Sequence, residues 1–133
     1  MTERQLVRQF AKDLNAVKDP DLFFCVMKDT YGGHKKPFDA FACFRGEFFA
    51  FEFKRHDGKL EEHQRAALAE VNAAGGYGFE AWFTDSGKTV EFFYGDQCAF
   101  AWHKNGPYWF SGASSSLFGR LILAGAVMAH GEI

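Results

Sequence analysis

The chain has 133 residues, 47% of them hydrophobic and 24% charged, a composition that excludes a largely disordered polymer and suits one domain with a single core. Its formal net charge is −2, so no global excess of positive charge marks it as a nucleic-acid binder. The charge is unevenly spread, however: residues 1–65 hold 12 of the 15 Lys and Arg against 11 of the 17 Asp and Glu, and the rest of the chain holds 3 against 6. Any phosphate-binding surface is expected in the first half, as a local feature.

The longest apolar run, Leu121 to Ala129, contains Gly125 and falls well short of the roughly 20 residues a membrane-spanning helix needs. The opening Thr2-Glu3-Arg4-Gln5 lacks the basic start and apolar stretch of a secretory signal. The expectation is a cytoplasmic protein that engages no membrane. Cys25, Cys43 and Cys98 are odd in number, widely spaced and set in apolar runs, so they are expected to be reduced, buried core thiols. The 17 phenylalanines favour strands and could also supply an oligomer interface.

In chain order, Thr2 and Gln5 match a capping box, and Leu6, Phe10, Leu14 and Val17 recur at helical spacing, which predicts a helix over residues 3–16. Pro20 and Asp21 end it, and Leu22 to Lys28 has the length of a buried strand. Gly32 and Gly33 mark a loop carrying His34, Lys35 and Lys36. Phe38 to Phe44 and Glu47 to Lys54, joined by Arg45-Gly46, read as a tight hairpin. After the turn at His56-Asp57-Gly58, Lys59 to Ala74 carries a helical stripe of Leu60, Gln64, Leu68 and Val71 and ends at Gly75-Gly76. Strands are predicted over 77–83 and 89–94. The segment from 47 to 83 then forms a strand-helix-strand crossover with parallel outer strands in a mixed sheet. Beyond it, Trp102, Tyr108, Trp109 and Phe110 fall in strands or a loop, and Ser114 to Ser116 can cap a last helix through Ala129.

Alternation along the second hairpin strand places Phe48, Ala50, Glu52 and Lys54 on one side and Phe49, Phe51 and Phe53 on the other. With a two-residue turn, Phe44 pairs with Glu47, and counting back sets Asp39 across from Glu52, Cβ atoms about 5 Å apart. Two carboxylates facing each other at the end of apolar strands repel unless a cation compensates. A hard divalent cation would do so, since it prefers carboxylate oxygens and keeps positions for water and phosphate. Lys54 beside them can hold a water nucleophile or stabilise developing phosphate charge. The stripe aims Gln64 inward near the same strand end, where it needs a partner. Glu3, at the start of the first helix, could approach the site only through tertiary structure.

Asp39, Glu52-x-Lys54 and the following helix with Gln64 resemble the PD-(D/E)XK nuclease superfamily. Phe38-Asp39-Ala40-Phe41, Arg45-Gly46-Glu47, Phe51-Glu52-Phe53-Lys54, Glu61-Glu62-His63-Gln64 and Gly75-Gly76 are most similar to RecU-type Holliday-junction resolvases and the small VRR-NUC nucleases of phages, over about residues 2–94. The resemblance implies an α/β, restriction-endonuclease-like mixed-sheet core (α-β-β-β-α-β) flanked by helices, in a single domain of residues 1–133 with a C-terminal extension from about 95. It implies metal ligation by Asp39, Glu52 and the Phe53 carbonyl, with Glu3 as the first-helix acid. Lys54 would be the catalytic lysine, and Gln64 would contact water or phosphate. It further implies Mg²⁺ or Mn²⁺ dependence, a homodimer, and cleavage of branched DNA. Phe38 stands where the motif's proline usually precedes the aspartate, with Pro37 displaced by one, and the segment from Asp29 to Pro37 is too short for the protruding stalk of RecU-type enzymes.

Plainer readings stand beside these. A Glu-x-Lys tripeptide arises by chance in many chains, and Asp57-x-Lys59 is a decoy of the same kind, on a turn where no strand fixes a shared face. Gln64 could serve only as a backbone partner, and Glu3 could be a solvated acid at a helix N-terminus. Lys35, Lys36, Arg55 and Lys59 flank the site and either grip DNA phosphates or are ordinary surface cations. Trp102, Tyr108 and Trp109 suit a core or an interface better than base stacking. The five histidines show no zinc spacing. The alternatives in other classes are a non-cutting nucleic-acid-binding protein on the same fold and an interaction or assembly protein.

Overall fold

A computed structural model describes residues 1–28, 30–31, 34–110 and 115–130. The chain begins with α1, Glu3–Ala16. The Thr2 hydroxyl accepts the Gln5 N–H at 3.2 Å, and the Gln5 side chain accepts the Thr2 N–H at 2.8 Å. This closes the predicted capping box and leaves Leu6, Phe10 and Leu14 along the buried stripe. The segment then forms β1, Leu22–Val26, and two short strands, β2 (Thr30–Tyr31) and β3 (His34–Lys35), which pair with each other. That small ladder falls where a loop was expected. The expected Gly32-Gly33 loop, the Asp29 end of the segment to Pro37 and the Ser114 cap lie outside the described residues.

The hairpin is β4, Ala40–Phe44, and β5, Glu47–Arg55, with Phe44 opposite Glu47 as the two-residue turn requires. Arg45 (φ 50°) and Gly46 (φ 81°) both adopt the left-handed conformation, which matches the twist of the flanking strands. Helix α2, Glu62–Ala73, starts three residues later than predicted. Glu61 is held in an extended conformation as the N-cap, so Leu60 precedes the helix rather than heading its stripe. Gly75 (φ 97°) ends the α2 segment as expected.

The sheet continues with β6 (Tyr77–Phe83), β7 (Thr89–Tyr94) and β8 (Gln97–His103), and the strand order is β1-β4-β5-β6-β7-β8. Only the β5–β6 pair is parallel, as the crossover through α2 demands. The described chain is therefore a mixed α/β architecture, a six-stranded sheet flanked by helices, in which α1, β1, β4, β5, α2 and β6 follow the predicted α-β-β-β-α-β order with the β2–β3 ladder inserted between its first two strands. β8 extends the same sheet, and α3 (Ser115–His130) brings Leu117, Phe118 and Leu121 into the same core.

The two faces of the sheet differ. Phe49, Phe51, Phe53, Phe79, Phe83 and Phe92 lie on the face covered by α1 and α3, where Phe10 meets Phe53 and Phe118 meets Phe49 edge-on. Trp109 and Phe110 join this core, Trp102 is half-buried, and Tyr108 is exposed. On the other face, among the described residues, α2 packs mainly over β5 and β6. Phe23 and Phe48 are consequently exposed there, in a run of aromatic contacts through Phe41. The cysteines are free, but they are not the buried thiols expected: Cys43 and Cys98 are exposed and Cys25 is half-buried. Cys25 and Cys43 share the more open face of β1 and β4 among the described residues. No helix among the described residues is long and apolar enough to cross a membrane.

Candidate active site

The acids meet where β4 begins and β5 ends. Asp39 immediately precedes β4, and the hairpin register, with Ala40 opposite Phe51, continues to set it against Glu52. Regular pairing stops there because the Asp39 N–H donates to the Phe51 carbonyl at 3.0 Å, which leaves the Phe53 N–H for the Asp39 side chain. Asp39 Oδ2 accepts that N–H at 2.8 Å. In an extended strand a residue's N–H and C=O point to the same side, so the Phe53 carbonyl faces the edge at which the Asp39 carboxylate sits.

Glu52 is 2% exposed and Asp39 8%. Burial, then the neighbouring Asp39 charge and a hydrogen bond with Asp39, push the Glu52 carboxyl up to about 8, against the weaker opposing pull of Lys54 and Lys36. Near neutral pH the pair therefore retains a proton. Three groups answer the remaining negative charge. Lys36 Nζ lies 2.7 Å from Asp39 Oδ1, Lys54 Nζ lies 3.8 Å from Glu52 Oε1, and Gln64 Nε2 donates to Glu52 Oε1 at 2.9 Å. The Gln64 carbonyl oxygen accepts the Glu61 N–H at 2.9 Å. One amide thus caps the α2 N-terminus and fixes the buried carboxyl, combining the backbone role and the site role that the sequence left open.

Glu3 also reaches this corner, since its Oε2 accepts the Arg55 N–H at 3.4 Å and it lines the same hollow as Asp39. It does not form a three-acid group with Asp39 and Glu52. Among the described residues no three or more His, Cys, Asp or Glu side chains are disposed to hold a metal. Of the proposed phosphate contacts, Lys36 is turned to Asp39, Arg55 pairs with Asp57 at 3.2 Å, and Lys59 is exposed just before α2. The side chain of Lys35 lies outside the described residues.

One neighbour was missed from sequence. Glu80 stands opposite Glu52 in the parallel β5–β6 pair, buried, with Trp82 Nε1 donating to it at 3.2 Å and the Arg65 guanidinium forming an ion pair with it, Nε 3.7 Å from Oε2. Consecutive α2 residues, Gln64 and Arg65, therefore hold acids on consecutive strands. The available signal was the lone acid inside the apolar strand Tyr77–Phe83, together with the parallel pairing that the crossover predicts.

The donor set suits a hard divalent cation: two adjacent carboxylates, a backbone carbonyl on the same edge, and an ammonium already drawn to the position that positive charge would occupy. Such a cation typically takes only one or two protein carboxylates and keeps water in its other positions, consistent with an acid pair rather than a larger cluster.

No family model and no curated protein matches the chain. Among solved structures, it is similar to Hjc, a Holliday junction resolvase from the archaeal hyperthermophile Archaeoglobus fulgidus, with 17% identity over 90% of this chain and 97% of that chain and a TM-score of 0.48. The chemistry of the site rests on its own side chains.

Proposed function

We propose that this chain is a divalent-cation-dependent endonuclease that hydrolyses phosphodiester bonds in DNA. The observation that carries the reading is the convergence of Asp39, Glu52, Lys54 and Gln64 at one strand end, with the acids adjacent and Glu52 buried. Asp39, Glu52 and the Phe53 carbonyl would hold Mg²⁺ or Mn²⁺, which supplies Lewis-acid stabilisation of phosphate charge and lowers the pKa of a bound water. Lys54 orients the attacking water and offsets charge as it develops on the phosphate. Gln64 keeps Glu52 in place from the α2 N-terminus. Glu3 supports the β5 end through Arg55, and Lys35, Lys36, Arg55 and Lys59 form the flanking cations that meet the DNA backbone.

The substrate we assign is branched or otherwise distorted DNA in recombination or phage genome processing, handled by a homodimer in a bacterial or phage-infected cytoplasm, as the resemblance to RecU-type and VRR-NUC enzymes implies. All of residues 1–133 serve as one nuclease domain, with the segment from about 95 as an extension of its core.

The test is cleavage of labelled four-way, flap and linear duplex DNA with Mg²⁺ or Mn²⁺, beside EDTA and Lys54→Ala controls. Metal-dependent product is expected, falling about 10²-fold or more in Lys54→Ala, the scale of losing one charge-stabilising group. Binding without product would instead identify a non-cutting protein, and neither binding nor product would leave an assembly role.

A further inference from the structure

The sheet face that carries Glu52 also carries a row of three unlike side chains across three adjacent strands. Lys54 on β5 stands opposite Trp82 on β6, and Trp82 stands opposite Glu91 on β7. Partners in register project to the same face, so a lysine, an indole and a carboxylate follow one another at the roughly 4.8 Å spacing of strands. Trp82 is fixed as Lys54 is, by the acid two residues earlier on its own strand. Its Nε1 donates to Glu80 Oε1 at 3.2 Å, and Lys54 Nζ lies 3.8 Å from Glu52 Oε1. The indole is only half-buried, and it lines a hollow of about 560 Å³ together with Phe93, Glu91, Asp96 and His56. Glu80 is engaged by Trp82 and Arg65, and His56 by Asp85. The half-buried Glu91 carboxylate forms no hydrogen bond or ion pair among the described residues.

An aromatic floor with an acceptor at its far edge fits a planar ring that carries an amino group, and its negative charge turns away a phosphate. The volume lies in the range that encloses a small ligand. A nucleotide presents its phosphate, ring and base edge in the order of Lys54, Trp82 and Glu91. We propose that this hollow receives an unpaired base beside the scissile phosphate, stacked on Trp82, with its exocyclic amine donating to Glu91. Cytosine and adenine carry such an amine, whereas thymine presents a carbonyl oxygen there and would meet the carboxylate acceptor to acceptor. The proposal rests on the nuclease reading, in which Lys54 marks the phosphate that is cut. It adds that the substrate has an unstacked, amine-bearing base at that point. It calls on no cation besides Lys54, which keeps its place beside Glu52.

Fluorescence anisotropy in EDTA, where no metal chemistry runs, tests it with a labelled strand of ten deoxycytidines and one of ten thymidines. Both bases are pyrimidines, and they differ at the edge that would face Glu91. The parent should bind the cytidine strand about ten-fold tighter, the scale of one good base-edge contact. Trp82→Ala should weaken cytidine binding about ten-fold, the scale of one lost stacked base, while Trp82→Phe, which keeps a ring face, should bind as the parent does. Glu91→Gln, whose amide both accepts and donates, should bind the two strands equally. Unlabelled cytidine strand should quench the tryptophan emission of the parent and not of Trp82→Phe, because neither Trp102 nor Trp109 lines the hollow. Equal binding of the two strands by the parent overturns the proposal, as does a Trp82→Ala variant that binds undiminished. Quenching by a hexa-arginine peptide with neither strand bound also overturns it, and gives the hollow to a basic protein segment. Parallel Mg²⁺ cleavage by the parent and Asp39→Asn separates the two ideas. Product without the cytidine preference removes the base site and keeps the nuclease, and a preference lost in Trp82→Ala and Glu91→Gln with no product does the reverse.

Discussion

Lys36 and a divalent cation compete for the same oxygen. The ammonium sits 2.7 Å from Asp39 Oδ1 with both side chains less than a quarter exposed, so metal entry must break a partly shielded ion pair worth on the order of 1 kcal/mol. Lys36→Ala should therefore tighten Mn²⁺ binding about five-fold by isothermal titration, the equivalent of that energy, whereas Asp39→Asn should abolish it. If Lys36→Ala binds Mn²⁺ no better than the parent, the ammonium does not occupy the cation position. Glu52 gives a second test, in the absence of metal. Its carboxyl ionises near 4.5 in an unfolded chain and near 8 in the folded one, so between those values the native state holds the extra proton. Stability falls as pH rises through that window. The urea midpoint of metal-free protein should be lower at pH 8 than at pH 5, and Glu52→Gln, which cannot ionise, should flatten the difference.

Helix α2 positions two acids at once, and its distance from the sheet is set by a glycine. A Cβ at Gly78 would lie 2.6 Å from the Leu68 carbonyl oxygen and 3.0 Å from its Cα, backbone atoms that cannot turn aside. The Gly78 N–H also donates to Asn72 Oδ1 at 2.6 Å, so the two elements are tied at the closest approach. Gly78→Ala should force α2 outward, costing about 1–3 kcal/mol in chemical denaturation, as overpacking does. It should also separate Gln64 from Glu52 and lower cleavage although no site residue has changed. Unaltered stability would mean that α2 is not clamped there. The elements that set this geometry were unequally legible. The hairpin register followed from Arg45-Gly46 and strict alternation, and the capping box of α1 from Thr2 and Gln5, because both are local. Gln64 was placed inward by a stripe headed by Leu60, yet Leu60 lies outside the helix; the glutamine's position depends on Glu61 as N-cap. Glu80 required a parallel register set through a whole helix, and the reach of Glu3 to the Arg55 N–H required the packing of α1 on β5.

At the scale of the fold, the described residues close one sheet face with α1 and α3 and half close the other with α2. Which face the helices leave open is a tertiary fact, and for that reason Cys43 and the hairpin phenylalanines, apolar in sequence context, could not be told from core residues. The open part carries Phe23 (60% exposed), Phe48 (39% exposed) and Phe41 between them, with ring centroids 6.0 and 6.1 Å apart. No charged side chain of β1 or β4 interrupts it, and β1 is an edge strand of the sheet. An uncharged apolar surface repels no second copy of itself and offers nothing to a phosphate, so the proposed homodimer is best served by this face in an isologous contact. In such a contact one substitution acts twice, once on each protomer. Phe23→Asp would set two like charges into the interface while changing a side chain that is solvent-facing in the monomer, so folding should be preserved. Light scattering at micromolar concentration should give twice the chain mass for the parent and the single-chain mass for Phe23→Asp, with matching circular dichroism. A dimeric variant would move the interface elsewhere, and a monomeric parent would remove the dimer and leave each site to act alone.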